Sequence, residues 1–489
     1  MIIKTDRDMV RSYFEDSSNV KGGWAREVLF PESPEEIGEF LAKASRERIP
    51  VTVSGGGTGT TGARVPFGGA VLSLERLDKI LDVSVDDSAE GRGVGKAQAG
   101  VLVDDFMRAA ESKGLFYTCH PTEKTATLGG TVATNASGSR SFRYGPTRRF
   151  VRAMKVVLAT GEIVCLRRGE RALTRRDSRL VLGDGRSVVV PMPSYRMPSV
   201  KNSAGYYAKD GMDAIDLFIG QEGTLGVVAE VEIGLVRKPD EILSCFAFFS
   251  SEPDSWNFAQ EARALNPLSI EYFDRNALAM LRARNPNIPQ AAHASIFFEA
   301  ELRRGAGEET TDAWQALLDS YHVSEDEVWA AETEREARTF IEFRHSIPSI
   351  VNETIRSRGF QKLSTDIAVP DKKFSEMMKF YIETLRQTGL EHVIFGHIGE
   401  SHVHVNILPR SQTELEDAKA AALRLVRKGI SLGGTVSAEH GIGKIKHIYL
   451  EELYGPQGVR EMARVKKALD PACILGLDNI FPRSILNTL

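Results

Sequence analysis

Apolar positions recur at three- and four-residue spacing in residues 33–57, SPEEIGEFLAKASRERIPVTVSGGG, where Ile37, Phe40, Leu41 and Ala44 fall on one helical face. Ser33 is placed to cap that helix, Pro34 to occupy its first position and Glu36 to complete a capping box. The run at 49–53 then reads as a strand that ends at Ser54 in Gly55-Gly56-Gly57, so glycines stand at a strand-to-turn junction. A second amphipathic helix is predicted over 101–113, with Gly114 stopping it. Short apolar runs at 71–74, 153–158 and 227–233 predict strands, and the chain to about residue 237 reads as a mixed α+β domain.

Lys238-Pro239-Asp240 marks a boundary. Beyond it CFAFF and SIFFEA read as buried strands, and 305–320 and 371–387 as helices with one apolar face, giving a second sheet-plus-helix domain to about 428. Residues 429–489 hold ISLGGTVSAEHGIG and a helix over 458–469; they are too few for a large core and are expected to complete another domain. The polar stretch 167–186, RRGERALTRRDSRLVLGDGR, reads as a solvated excursion.

With 489 residues, a net charge of -4 and no broad basic surface, the composition fits a multidomain globular protein and disfavours a nucleic-acid partner. Cys119, Cys165, Cys245 and Cys473 lie far apart with no CxxC, which argues against a chain-borne iron-sulfur cluster or a disulfide framework. No apolar leader and no run of eighteen apolar residues occurs, so a cytoplasmic location is expected, with peripheral attachment on the inner membrane face left open.

Three glycine-rich segments carry the first candidate chemistry: SGGGTGTTGARVPFGG (54–69), TLGGTVATNASGSRSFRYG (127–145) and GQEGTLGVVAE (220–230). Successive glycines turn backbone amides toward one anion, and Ser and Thr hydroxyls add donors, which suits a pyrophosphate. The order is wrong for the common dinucleotide fold, since no GxGxxG opens a βαβ unit with an acidic residue after the next strand, and Lys and Ser/Thr are absent from the places a Walker A sequence requires. The second candidate is GHIGESHVHV (396–405), with three of the ten histidines. His402, His404 and Asn406 alternate with Val403, Val405 and Ile407, so a strand displays them on one face; His397 joins them only if Gly399-Glu400-Ser401 turns. The comparable cluster SAEHGIGKIK offers Glu439 as a third ligand and leaves His440 free. An open metal site and a set of hydrogen-bonded histidines both fit these residues.

Taken in order, SGGGTGTTG, TLGGTVATNASG, Tyr144-Gly145, IGQEGTLGVV, GHIG with a following histidine, and SAEHGIG resemble the vanillyl-alcohol oxidase and p-cresol methylhydroxylase (PCMH) flavoprotein superfamily. The branch is that of D-lactate, glycolate and D-2-hydroxyglutarate dehydrogenases and alkyldihydroxyacetonephosphate synthase, and the resemblance runs from about 28 to 482. It implies a two-subdomain PCMH-type FAD-binding domain over 1–237, a ferredoxin-like cap domain over 238–428 and a C-terminal segment, 429–489, that closes the FAD and substrate site. FAD is implied to be non-covalent, with Cys119-His120 the place to look for a covalent bond. By analogy Ser54, Gly55, Gly56, Gly57, Thr58, Gly59, Thr60, Thr61 and Gly62 hold the pyrophosphate. Thr127, Gly129, Gly130, Thr134, Asn135, Ser137 and Gly138 line the flavin and its diphosphate. Glu222, Gly223, Gly226, Val227 and Val228 lie against the adenosine or ribityl portion.

The same resemblance assigns His397, His404 and Glu439 to a divalent metal, zinc first with manganese and iron as alternatives, and His440 to the catalytic base. Glu400, Ser401 and His402 stand where aspartate, glycine and asparagine are usual, and a contact role for His402 is favoured over ligation. The implied reaction is FAD-dependent oxidation of a D-2-hydroxy acid to the 2-oxo acid. Arg344 is the candidate for holding a substrate carboxylate, Lys362 and Asp366 match a weaker substrate segment, and His345 and Tyr144 are secondary, Tyr144 being also placed with the residues that bind the cofactor. Electrons would leave to a quinone, a cytochrome or an electron-transfer flavoprotein; an iron-sulfur partner subunit and a homodimer are further expectations. The alternatives are an alkyl-glycerone-phosphate-synthase-like flavoenzyme and a flavin subunit of a larger electron-transfer complex.

Overall fold

The computed structural model describes residues 1–86, 92–119, 123, 125–183, 185–302, 305, 307–361 and 363–489. Helix Pro34–Glu47 forms as its pattern requires: Ser33 Oγ accepts from Glu36 N at 3.2 Å, and Ile37, Phe40, Leu41 and Ala44 are buried. The capping box does not close, because the Glu36 carboxylate pairs with the N-terminal ammonium and accepts from Glu32 N at 2.8 Å. A full charge outcompetes a neutral amide for that side chain.

This helix belongs to a small sheet ordered Ile2–Lys4, Glu27–Phe30, Ala70–Ser73, Val51–Ser54, whose last three strands run parallel. A second, antiparallel sheet runs Ile80–Val85, Arg92–Gln98, Val227–Arg237, Val151–Val157, Ile163–Arg167, with Leu115–Phe116 also on Val227–Arg237. The helix predicted over 101–113 runs Val103–Glu111, since Leu102 is extended and bridges to Thr127. The excursion at 167–186 is less solvated than expected: Leu173, Leu180 and Leu182 are buried and pin short strands at Ala172–Leu173 and Arg179–Val181.

The third sheet is antiparallel throughout and runs Val328–Ala330, Glu241–Phe249, Ala294–Leu302, Ser269–Phe273, His392–Gly396, His402–Ile407, Leu363–Ser364, with Ile367–Ala368 also on His402–Ile407. Alternation along Glu241–Phe249 buries both faces. Phe246 and Phe248 share a core with Leu278 of Arg275–Arg282 and Ile347 of Glu334–Arg358. On the other face Cys245 and Phe249 pack with Trp256 of Glu252–Ala262 and Trp314 of Gly307–Ser320, whose ring stacks on Phe298 at 3.9 Å.

The last residues return to the first sheets. Val51 N donates to Ile474 O at 2.8 Å, and Ile442 N and Gly443 N donate to the Glu222 carboxylate at 2.8 and 2.7 Å. Helix His447–Leu469 begins well before the predicted 458, because two helical pieces meet at a kink where Gly455 takes φ 68 ahead of Pro456. Among the described residues, no helix is long and apolar enough to cross a membrane.

Candidate active site

Strand His392–Gly396 ends at a glycine with φ 130, and a Cβ there would lie 2.9 Å from the His404 ring. Only glycine lets the chain turn while that imidazole folds back against it. The turn Ile398–Glu400 follows, Ser401 takes φ 52, and strand His402–Ile407 runs back. His402, His404 and Asn406 share a face as their spacing requires, and that polar face is as buried as the apolar one.

One potential ligand atom from each of His397, His402, His404 and Glu439 lies within 4.8 Å of the others. Glu439 divides its oxygens. Oε1 lies 3.1 Å from His397 Nε2 and 3.2 Å from His404 Nε2, while Oε2 accepts from Ser137 Oγ at 2.9 Å and pairs with Lys201 Nζ at 3.0 Å. The side-chain donors on Oε2 thus leave Oε1 facing the imidazoles. Behind His397, Nδ1 lies 2.6 Å from Glu271 Oε1, and Glu271 Oε2 accepts from Arg344 Nε and Nη2 at 3.2 and 2.7 Å. Asp366 holds the other side: Oδ1 is 3.0 Å from His402 Nε2, and Oδ2 accepts from His440 N, Ser437 Oγ and Lys446 Nζ at 2.9, 2.7 and 3.1 Å. His440 stacks on His404 at 4.9 Å with Nδ1 3.4 Å from Asp366 Oδ2, and at 31% side-chain exposure it is the open member of the group.

Burial sets the charges. It pushes the His404 pKa down to about 3 and lowers that of His402, so both imidazoles are neutral. For Glu439 burial acts the other way, but His397 and Lys201 outweigh it and hold the carboxyl well below its usual range. His397 differs: burial acts to lower its pKa, but Glu271 and Glu439 outweigh it and raise it to about 9, so this imidazole would release a proton on binding a metal, while His402, His404 and the ionised Glu439 already have the forms that bind one.

One cavity joins this cluster to the glycine loops. Its wall includes Gly55, Gly56, Gly57, Thr58, Gly59, Thr60 and Thr61, then Thr127, Gly129, Gly130, Thr134, Ser137 and Gly138, then Glu222, Gly223, Gly226 and Val228, and at the far end Arg344, His397, His404, Asn406, Glu439 and His440. Five residues expected at the cofactor do not line it. Ser54 and Val227 are fully buried in strands, and Gly62 packs against Val20. Asn135 turns inward to accept from Arg148 N at 3.0 Å, and Tyr144 rests against Phe116. Arg344 reaches the wall with its guanidinium paired to Glu271. His345 is half-buried and away from the wall; Lys362 and His120 lie outside the described residues. Cys119 is buried with its thiol pushed up to about 12 by desolvation and does not line the cavity.

Sequence reasoning missed Lys201, Glu271 and Arg64. Arg64 lies so close over the glycine loop that a Cβ on Gly57 would fall 1.6 Å from its Nη1. It is the only cation of the run SGGGTGTTGARVPFGG, which is a usable signal. Glu271 is a lone carboxylate in the apolar strand SIEYF, another; Lys201 has no local signal.

Residues 25–167 match the model of the FAD binding domain, and 238–477 that of FAD linked oxidases, C-terminal domain. The chain is 30% identical over 457 residues to a D-lactate dehydrogenase of Archaeoglobus fulgidus, covering 92% of this chain and 89% of that protein. The chain belongs to the PCMH-type FAD-linked oxidases and dehydrogenases. Its relatives in this family include glycolate oxidase subunit GlcD of Bacillus subtilis, 28% identical over 465 residues covering 93% of this chain and 89% of that one. A D-2-hydroxyglutarate dehydrogenase of Stutzerimonas stutzeri is 28% identical over 497 residues, covering 98% and 96%. An alkyldihydroxyacetonephosphate synthase structure shares the fold, with a TM-score of 0.64 at 16% identity over 98% of this chain and 83% of that one.

The family's cofactor and a divalent metal fit the residues present. The glycine-lined wall admits a ligand close to backbone amides, and Arg64 adds a cation beside it. At the cluster, His402 Nδ1, His404 Nδ1 and Asn406 Oδ1 are buried without a hydrogen-bond partner among the described residues. Buried polar atoms are otherwise almost always paired, so this strand is built to meet a group from outside the polypeptide.

Proposed function

We propose that this flavoprotein oxidises a D-2-hydroxy acid to the 2-oxo acid. The observation that carries the reading is the single cavity with the glycine loops at one end and His397, His404, Glu439 and His440 at the other. When bound, FAD takes up two electrons and a divalent metal polarises the substrate hydroxyl and carboxylate.

The chain's own residues do the rest. His397, His404 and Glu439 hold the metal, and the nitrogen-rich donor set favours zinc over magnesium or calcium, with iron and manganese as alternatives. His440 accepts the hydroxyl proton. Asp366 Oδ2, 3.4 Å from its Nδ1, fixes the ring and stabilises the imidazolium formed, while Nε2 lies 3.7 Å from Glu439 Oε1, on the side of the metal ligands. Arg344, bound to Glu271 and still at the cavity wall, contributes positive charge toward the substrate carboxylate. The buried site limits water access, and the reduced flavin is reoxidised by an external acceptor of the quinone, cytochrome or electron-transfer flavoprotein type. A homodimer and an iron-sulfur partner subunit are part of the same proposal.

The test is anaerobic mixing of the FAD-loaded protein with a panel of D- and L-2-hydroxy acids while following flavin absorbance, before and after chelation. Bleaching by a D-isomer that is lost on chelation and restored by metal is expected. Failure of every 2-hydroxy acid to reduce the flavin with metals resupplied refutes the reading.

A further inference from the structure

His402 stands two residues before His404 on the strand His402–Ile407, and its surroundings give it a chemical meaning. Its side chain is fully buried, so it is not a surface substitution. It shares a strand face with His404, the two rings 4.6 Å apart, and lies 5.4 Å from the His397 ring. One of its potential ligand atoms falls within 4.8 Å of those of His397, His404 and Glu439. Both of its ring nitrogens are buried with no hydrogen-bond partner among the described residues, and Nε2 lies 3.0 Å from Asp366 Oδ1.

An imidazole with one nitrogen close to a carboxylate and the other facing no protein group has the surroundings of a metal ligand, because an ordered carboxylate contact fixes the tautomer and raises the basicity of the other nitrogen. A merely space-filling histidine would leave buried polar nitrogens unsatisfied, which destabilises a fold.

We propose that His402 is a fourth protein ligand, making the centre three imidazoles and one carboxylate. The inference rests on the metal-assisted reading above and deepens it. With His402 among the donors, His397, His402, His404 and Glu439 would together supply four protein ligands to a zinc ion, one more than a site of two histidines and a carboxylate. Asp366 becomes the hinge of the site, since its two oxygens contact this ligand and the base His440.

The full FAD-loaded chain is stripped with a chelator and reloaded with Zn2+ alone. X-ray absorption at the zinc edge counts the imidazoles, and chelator competition gives the dissociation constant. Three imidazoles are expected in the native protein. His402→Asn is expected to show two, with zinc binding weakened more than about tenfold and FAD bound at unchanged stoichiometry. Two imidazoles in the native protein overturn the inference while leaving 2-hydroxy-acid oxidation standing, and that measurement does not depend on the variant folding. Equal zinc affinity in native and variant proteins overturns it as well. Absence of divalent metal binding overturns both this inference and the metal's part in the reaction.

Discussion

Replacing Glu271 by Gln asks whether the metal-binding face is held from behind by an ion pair. In the native protein this carboxylate, 1% exposed, accepts two hydrogen bonds from Arg344 and faces His397 Nδ1 at 2.6 Å. Burial alone would raise its pKa, but Arg344 and His397 bring it down to about 2, so a full negative charge stands there at neutral pH. The amide keeps the size and removes the charge. Arg344 cannot lose its proton and loses the carboxylate that accepts from its Nε and Nη2, which costs about 3–5 kcal/mol of folding stability. His397 exchanges the charged acceptor that orients its ring for at most a neutral amide oxygen, which weakens metal binding by about 10- to 100-fold, or roughly 1.4–2.7 kcal/mol. Denaturant unfolding reads the first effect and chelator competition the second, with FAD stoichiometry checked alongside. The double variant Glu271→Leu with Arg344→Met separates them: two apolar side chains restore much of the stability, since no charge is left unpaired, but not the orientation of His397. The reasoning is refuted if Glu271→Gln leaves metal affinity within about twofold of native, against the fall expected from losing an outer partner. It is refuted equally if the double variant recovers metal affinity together with stability.

Other perturbations address the base, the sheet interface and pH. Glu439→Gln is expected to lose metal while keeping FAD, and His440→Asn to keep both while slowing flavin reduction by about 10²- to 10⁴-fold in single-turnover mixing; loss of FAD in both would point to damaged folding. Arg140 binds Glu299 of the third sheet bidentately at 3.0 and 2.7 Å, so Glu299→Gln should cost about 3–5 kcal/mol in denaturant unfolding; a loss below about 1 kcal/mol would place this pair with surface ion pairs. Asp274, the buried cap of Arg275–Arg282, accepts from Ala277 N at 2.7 Å, and burial pushes its pKa up to about 8. The folded state therefore binds a proton that the unfolded chain releases near pH 4, and this contribution is full below about pH 4 and lost as pH rises through about 8. Asp274→Asn removes the titration, so its unfolding free energy should gain on native by an amount on the order of a few kcal/mol between pH 5 and 9; a constant gap across that range contradicts the assignment.

What could be read from the chain divides by the range of the interaction. Helix Pro34–Glu47 and the alternation of His402, His404 and Asn406 rest on neighbours a few residues apart, and both were legible. Glu439 was reachable because few other polar clusters could supply a third ligand. The partners that set the site's charges were not reachable in the same way, since Glu271 lies 126 positions from His397 and Lys201 sits in MPSVKNSAG, which has no periodicity to mark it. Local rules failed where a distant charge intervened, as at Glu36, or where a capable side chain had a stronger internal partner, as at Asn135.

The strand His402–Ile407 shows most clearly what alternation cannot convey. A polar face toward water and a polar face toward a cofactor have the same sequence period, and only depth separates them. Here the depth is complete: His402 is 0% exposed, His404 7% and Asn406 1%. In a buried setting each unpaired polar atom is destabilising, so a strand carrying His402 Nδ1, His404 Nδ1 and Asn406 Oδ1 without partners would be selected against as pure scaffold. The same atoms become favourable once a cation and an oxygen-rich substrate stand against them. The instability of this face in isolation is therefore the strongest structural sign that its function is to bind.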